Sequence, residues 1–172
     1  MDFNNVIIFD DFFELETVNA IRKNMLHTFY TNEHKSLGAD YEDGWFFSNL
    51  LNNNFFEKDL ISIIEKKINK KILVSRNYIN CMSFSSESAY HIDCDLDNSY
   101  TILYFINGPK NTKEADEYGG YFYYKQNNQI NCVEPIHNRL IIFPSTFLHR
   151  ADHYRRFIKT KRYSIAWKTV IE

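Results

Sequence analysis

Between His91 and Tyr100 the chain reads HIDCDLDNSY, and four of these side chains could ligate a metal in two incompatible ways. Asp93, Asp95 and Asp97 alternate like the first ligands of a calcium loop, while His91 and Asp93 form a His-x-Asp pair suited to non-haem iron. A calcium loop beginning at Asp93 needs glycine at its sixth position, a bidentate glutamate at its twelfth, and helices on both sides. Those positions hold Asn98 and Tyr104, and the residues after Asn98 read as a strand. The calcium reading fails. Asp95 and Asp97 are then loop carboxylates just beyond the metal, close enough for either to touch a substrate.

The iron reading needs a third ligand. Two imidazoles and one carboxylate on one face of an octahedron keep Fe(II) labile and leave positions open for other molecules. His91 and Asp93 are two residues apart, so on a strand they point the same way. The second imidazole must come from a distant strand crossing beside them. Four histidines compete for the place. His34 lies in a polar connection, TNEHKS, and His137 in the turn EPIHN. His149 ends RLIIFPSTFLH, a buried run that turns at Pro144-Ser145, and His153 follows four residues later in the charged loop RADHYRR. A zinc pair made of His149 and His153 needs a helix and a base, and neither is signalled.

The elements that position these residues read as two successive patterns. Over residues 1–70, VIIFDD is a strand, Asp11-x-x-Glu14 is a capping box for a helix reaching about Phe29, and Asn54-x-x-Glu57 opens a second helix. Phe56, Leu60, Ile63, Ile64 and Ile68 share one face of that second helix at core spacing. From 71 to 172 come short β-like runs, KILVSR, NYINCMSF, SYTILYFIN, GGYFYY, QINCVE, RLIIFP and RYSIAWKTV, separated by turn-rich pieces. With 12 Tyr and 15 Phe, the composition favours strands. The expected fold is mostly β with N-terminal helices: a double-stranded β-helix (jelly-roll or cupin-like) core at 71–172, helices from 1–70 packed on one sheet, and a single domain over 1–172.

The composition narrows the function further. A formal charge of −2 gives no electrostatic footprint for nucleic acid or an anionic membrane. No apolar run approaches the ~20 residues that span a bilayer. The start, MDFNNVIIFDD, lacks the basic region and cleavage site of a secretion signal. Three cysteines, Cys81, Cys94 and Cys132, are odd in number and outside any C-x-x-C pair, so neither a disulfide framework nor a thiolate zinc site is expected. A cytoplasmic location follows as the expectation.

The C-terminal two-thirds resembles the 2-oxoglutarate/Fe(II)-dependent dioxygenases, most closely their prolyl-hydroxylase-like branch. The resemblance rests on five pieces in order: HID (His91–Asp93), TILYFIN, the Gly119-Gly120 pair of EYGGYFYY, RLIIFPSTFLH and KRYSIAWK. NVIIFDDFFELETVNAI also resembles the family's N-terminal strand and helix. The resemblance implies His91, Asp93 and His149 as iron ligands, and Arg162 as the 2-oxoglutarate anchor with Ser164 beside it. Strand alternation agrees, since Arg162, Ser164 and Ala166 share one face, and a guanidinium can fork onto a carboxylate. The loop RADHYRRFIKTK before Arg162 is longer than the family's usual one and brings Arg155 and Arg156 into contention. On the preceding strand, either Thr101, Leu103 and Phe105 or Tyr100, Ile102 and Tyr104 line the cosubstrate pocket, with Leu103 the favoured apolar wall.

The implied activity couples Fe(II), 2-oxoglutarate and O2 to hydroxylation of a C–H bond, releasing succinate and CO2, with ascorbate in support. Retention of Asp93 argues against a halogenase. The implied substrate is a peptidyl side chain such as proline, or a small molecule. The alternatives are a catalytically silent jelly-roll binding module, or a barrel holding another metal without 2-oxoglutarate. Access to the metal falls to two segments outside the core, Gly38–Asn49 and Asn107–Tyr118.

Overall fold

The alternation after residue 71 becomes two facing antiparallel sheets in the computed structural model, which describes residues 3–26, 28, 30, 31, 46–86 and 88–172. The elements are β1 (Ile7–Phe9), α1 (Leu15–Met25), β2 (Phe46–Asn49), a π-helical turn (Phe55–Asp59) running into α2 (Leu60–Ile68), β3 (Ile72–Met82), β4 (Ser99–Phe105), α3 (Thr112–Tyr118), β5 (Phe122–Gln126), β6 (Gln129–Val133), β7 (Leu140–Pro144), β8 (His149–Ala151) and β9 (Arg162–Ile171). The major sheet has the order β1-β7-β4-β9-β3-β2 and the minor sheet β6-β5-β8. The fold is mostly β and jelly-roll-like, with helices covering one sheet. None of the described helices is long and apolar enough to cross a membrane.

Strand alternation divides the major sheet into two faces. On the outer face Ile102, Tyr104, Ile142, Ile165 and Trp167 pack beneath Val18 and Ile21 of α1 and Leu60, Ile64 and Ile68 of α2. Trp167 is fully buried, and its indole N–H donates to the Phe56 carbonyl (2.9 Å), so its one polar atom is satisfied. On the inner face Tyr78, Leu103, Phe105, Ile141, Phe143 and Ala166 meet Phe122 and Val133 of the minor sheet. Asn138 ties the N-terminal segment down. Its side chain accepts from the Phe13 N–H (3.0 Å) and donates to the Phe13 carbonyl (2.8 Å).

Several local expectations are corrected. Glu14, not Asp11, precedes α1 and makes no side-chain cap; Asp11 instead turns with φ of 47°, and the helix ends at Met25 rather than near Phe29. Asn54 caps nothing, because Asn53 accepts from the Phe55 N–H and Glu57 reaches back to the Asn52 N–H, which opens the helix with a π turn. On α2 Ile61 is fully buried, whereas Ile63 is only partly so. KILVSR and NYINCMSF are not two strands but one, β3, with a bulge between Val74 and Arg76. The Asn107–Tyr118 loop contains α3, capped by Asn111, whose side chain accepts from the Glu114 N–H. In the Gly38–Asn49 segment only residues 46–49 are described, as the edge strand β2; residues 38–45, like His34, lie outside the described residues.

Candidate active site

His91 and His149 stand directly opposite each other in an antiparallel bridge, exchanging both backbone hydrogen bonds (3.0 and 2.9 Å). Directly opposed residues project to the same side, so their rings meet with centroids 4.5 Å apart. The turn after β7 supplies the next contact: the Ser145 carbonyl accepts from the Asp93 N–H (2.9 Å). That bond fixes Asp93 on the same side as His91. Its Oδ1 lies 3.7 Å from His91 Nε2 and its Oδ2 3.4 Å from His149 Nε2. One donor atom from each of the three residues lies within 4.8 Å of the others.

Backbone carbonyls hold both rings. His91 Nδ1–H donates to the Ala89 carbonyl (2.9 Å) and His149 Nδ1–H to the Phe147 carbonyl (2.8 Å). Each imidazole therefore turns its Nε2 lone pair towards Asp93, as a metal-binding histidine must. Burial pushes the His149 pKa down to about 4 against the opposing pull of Asp93, so the ring is neutral at pH 7. Burial alone would raise the Asp93 pKa, but Lys168 and His149 hold it well below the usual carboxylate range. Asp93 Oδ2 also accepts from the Thr101 hydroxyl (2.6 Å) and pairs with the Lys168 ammonium. Two imidazoles, the His149 ring neutral, and one ionised carboxylate, each oriented from behind, fit an iron-type divalent ion.

The cavity between the sheets runs from these residues to Arg162. Its walls include Tyr78, Leu103, Phe122 and Phe143, and Ser164 and Lys168 also line it. The register explains the lining: Met82–Arg162, Asn80–Ser164, Tyr78–Ala166 and Arg76–Lys168 are successive cross-strand pairs of β3 and β9. On β4 it is Thr101 and Leu103 that face the cavity, while Ile102 and Tyr104 belong to the outer core.

Arg162 is 1% exposed and forms no ion pair with any described residue. Its Nε donates to the Gly120 carbonyl (2.9 Å), and Nη1 lies 3.4 Å from Ser164 Oγ and 3.6 Å from Met82 Sδ. Nη2 has no partner among the described residues. A buried guanidinium with an open donor and no counter-anion is costly unless a ligand supplies one, so this end of the cavity fits a carboxylate. Gly120 permits the approach: at φ 76° a Cβ there would strike the Tyr154 ring at 2.5 Å and Arg162 Cδ at 3.3 Å.

The competing residues lie elsewhere. His137 sits between the Ile106 carbonyl and Arg22. His153 bonds the Tyr154 carbonyl and packs edge-on against Phe84. Arg155 packs at Gly119 and Arg156 over the Phe84 ring, both outside the cavity. Asp95 and Asp97 are exposed. Lys168 and Tyr78 were not expected at the site, and Thr101, expected only as one of two alternative pocket-lining sets, also holds Asp93. Alternation could have found Lys168, which keeps the parity of Arg162, Ser164 and Ala166.

Solved structures share this arrangement of elements across nearly the whole chain. A prolyl hydroxylase from Trichoplax adhaerens, in complex with a hypoxia-inducible-factor oxygen degradation domain peptide fragment, superposes with a TM-score of 0.71 at 18% identity, over 97% of this chain and 84% of that one. HygX from Streptomyces hygroscopicus, with nickel and 2-oxoglutarate bound, gives 0.70 at 11% identity, over 98% and 84%. A Pseudomonas putida prolyl-4-hydroxylase gives 0.65 at 13%, over 96% and 92%. The fold is that of the 2OG-Fe(II) oxygenases. No family model matches the sequence, and no curated protein does. The likeness therefore lies in the 2OG-Fe(II) oxygenase fold, and the chemistry must be argued from the side chains.

Proposed function

We propose that the protein is an Fe(II)- and 2-oxoglutarate-dependent dioxygenase that hydroxylates a C–H bond and releases succinate and CO2. The observation that carries this reading is Arg162: a fully buried cation in the cavity that His91 and His149 of the cluster also line, with one donor unfilled among the described residues. A barrel that bound only a metal would have no use for it. His91 and His149 present Nε2 and Asp93 presents its carboxylate to the iron, each held from behind by a carbonyl or a hydroxyl. Arg162 would hold a carboxylate of 2-oxoglutarate through a charge-assisted contact, with the Ser164 hydroxyl beside it. Leu103, Phe122 and Phe143 keep the space between apolar, which strengthens those contacts. When bound, iron and 2-oxoglutarate supply the oxygen activation; the protein orients them and excludes water.

The structural neighbours include prolyl hydroxylases, one bound to a peptide, and HygX, solved also with hygromycin B. They support a peptidyl side chain such as proline as the first candidate substrate and a small molecule as the second. We read residues 1–172 as one domain in which 1–70 support a core at 71–172. The three cysteines are free, which supports a reducing, cytoplasmic setting.

The test is succinate release from 2-oxoglutarate with Fe(II), O2 and ascorbate, with and without proline-containing peptides. Slow release without a peptide and faster release with the right one is the expected result. Tight binding of metal and 2-oxoglutarate with no succinate under any condition would make the protein a silent binding module instead.

A further inference from the structure

Beyond the metal ligands a second cavity, of about 390 Å³, opens towards the surface. It shares Tyr78, His91 and Lys168 with the cavity that ends at Arg162. With 2-oxoglutarate in the cavity that ends at Arg162, this second one would be left as the approach for another molecule. Among the described residues, Asp93 is the one carboxylate in its lining, while Arg76 and Lys168 give it two cations.

Those two cations are placed together by an irregularity. The bulge between Val74 and Arg76 puts Arg76 directly across from Lys168 on β9. Like charges facing each other across a strand pair are unfavourable, and bulges gather where a side chain must be re-aimed. The Arg76 guanidinium lies 4.9 Å and the Lys168 ammonium 5.5 Å from the centre of the same Tyr78 ring, between them. Arg76 forms no ion pair with any described residue, whereas Lys168 has Asp93.

In a loaded site Asp93 would divide its single charge between the metal and Lys168. The metal dication, Asp93, the doubly charged 2-oxoglutarate and Arg162 together come to neutrality. Lys168 is then a largely buried cation without a counter-charge of its own, beside a second cation in Arg76. One carboxylate cannot neutralise both a dication and a lysine, and a desolvated, uncompensated charge is costly. Resting on the reading above, we infer that Lys168 and Arg76 form a carboxylate-binding subsite, and that the substrate carries an acid group beside the carbon to be hydroxylated. The acid belongs either to a small carboxylic acid or to an acidic residue of a peptide.

Calorimetric titration of the Ni(II)-loaded protein, saturated with 2-oxoglutarate, tests this without turnover. Butyrate is compared with butyramide, and acetyl-Gly-Glu-Gly-amide with acetyl-Gly-Gln-Gly-amide; the pair that shows the preference identifies the source. The acid should bind roughly tenfold or more tightly than its amide. Lys168→Met should abolish that preference, Lys168→Arg should keep it and Arg76→Ala should weaken it a few-fold, with 2-oxoglutarate affinity measured beside each. Equal binding of acid and amide overturns the inference, as does a preference that persists in Lys168→Met, or no saturable binding of either acid at millimolar concentration. A loss of 2-oxoglutarate affinity in Lys168→Met as large as the loss for the acid would put Lys168 in the cosubstrate site instead. Failure of the wild type to bind 2-oxoglutarate refutes the dioxygenase reading alone; the acid–amide comparison and Lys168→Met then decide the subsite on the Ni(II)-loaded protein.

Discussion

The two faces of the major sheet are built from alternate residues of the same strands, and they differ in the charge they bury. The amide of Asn77, opposite Trp167, also lacks a partner among the described residues, but on the cavity face it is a cation that does. On the helix-covered face the Trp167 indole has its carbonyl, and Tyr104 donates to Asn138. On the cavity face, among the described residues, Arg162 is left with an open donor and Lys168 shares its one carboxylate with two histidines. Two buried arginines sharpen the contrast. Arg139, 6% exposed, forks onto Asp10 (2.6 and 3.0 Å) and reaches Glu134 (2.8 Å). Arg162, at 1%, has a carbonyl, a thioether and a hydroxyl, and no anion among the described residues. Both side chains are buried, Arg162 more deeply, and it is the deeper one that lacks an anion among the described residues. A fold retains an unsatisfied buried cation at a cost, and the cost is offset only when a ligand arrives.

The largest effect expected is on the cavity face. His149→Ala and His91→Ala should each weaken metal binding by more than about 100-fold and abolish succinate production, with the fold retained by circular dichroism. Metal content of the purified variants checks this, and wild-type turnover in His149→Ala would dissolve the cluster as a metal site. On the opposite face, Trp167→Ala should cost about 3–5 kcal/mol in urea unfolding, because it empties a fully buried site and orphans the Phe56 carbonyl. A loss below about 1 kcal/mol would show that the helix-covered face is not the stabilising one.

A pH titration separates the faces again. In the unfolded chain His149 takes its proton near 6.5, but in the folded metal-free protein burial delays protonation to about 4. Between those values the unfolded chain binds more protons, so stability falls as pH drops through this window, by up to about 3 kcal/mol, and this contribution levels off below it. In His149→Leu this part of the slope should vanish. Smaller still is the arginine contrast in the metal-free protein. Arg139→Met should destabilise by about 1–3 kcal/mol, leaving two carboxylates unpaired, whereas Arg162→Met should be neutral or stabilising by about 1–2 kcal/mol. Equal losses in both variants would erase the distinction on which the site assignment rests.

Much of this was legible in the sequence because alternation is a short-range rule. His91 and Asp93 share a side, as do Arg162 and Ser164, without any knowledge of what lies across from them. What alternation could not show is where it breaks. Val74 and Arg76 should share a face by parity, yet Val74 packs with the outer core while Arg76 pairs with Lys168, because the bulge inserts one unpaired residue. The lysine itself could be placed by parity, but its carboxylate partner is 75 positions earlier in the chain, a proximity that only the crossing of β4 and β9 creates. The choice among four histidines was likewise undecidable from spacing alone. It is the His91–His149 bridge, a long-range pairing, that separates His149 from His153. The N-terminal caps misled for a different reason. The first helix, α1, starts after Glu14 rather than Asp11. Asn54, although it does precede the second helix, makes no side-chain cap because its neighbours Asn53 and Glu57 take the local N–H groups.

The most direct test is the affinity of the Ni(II)-loaded protein for 2-oxoglutarate, measured by calorimetry in the wild type and in Arg162→Ala, with Arg155→Ala and Arg156→Ala as controls. Losing one partner of a buried charge pair costs about 2–5 kcal/mol, so Arg162→Ala should bind 2-oxoglutarate roughly 30-fold to several thousand-fold more weakly, with metal affinity little changed. The two controls should match the wild type. Wild-type affinity in Arg162→Ala, or no 2-oxoglutarate binding by the metal-loaded wild type, would contradict the account.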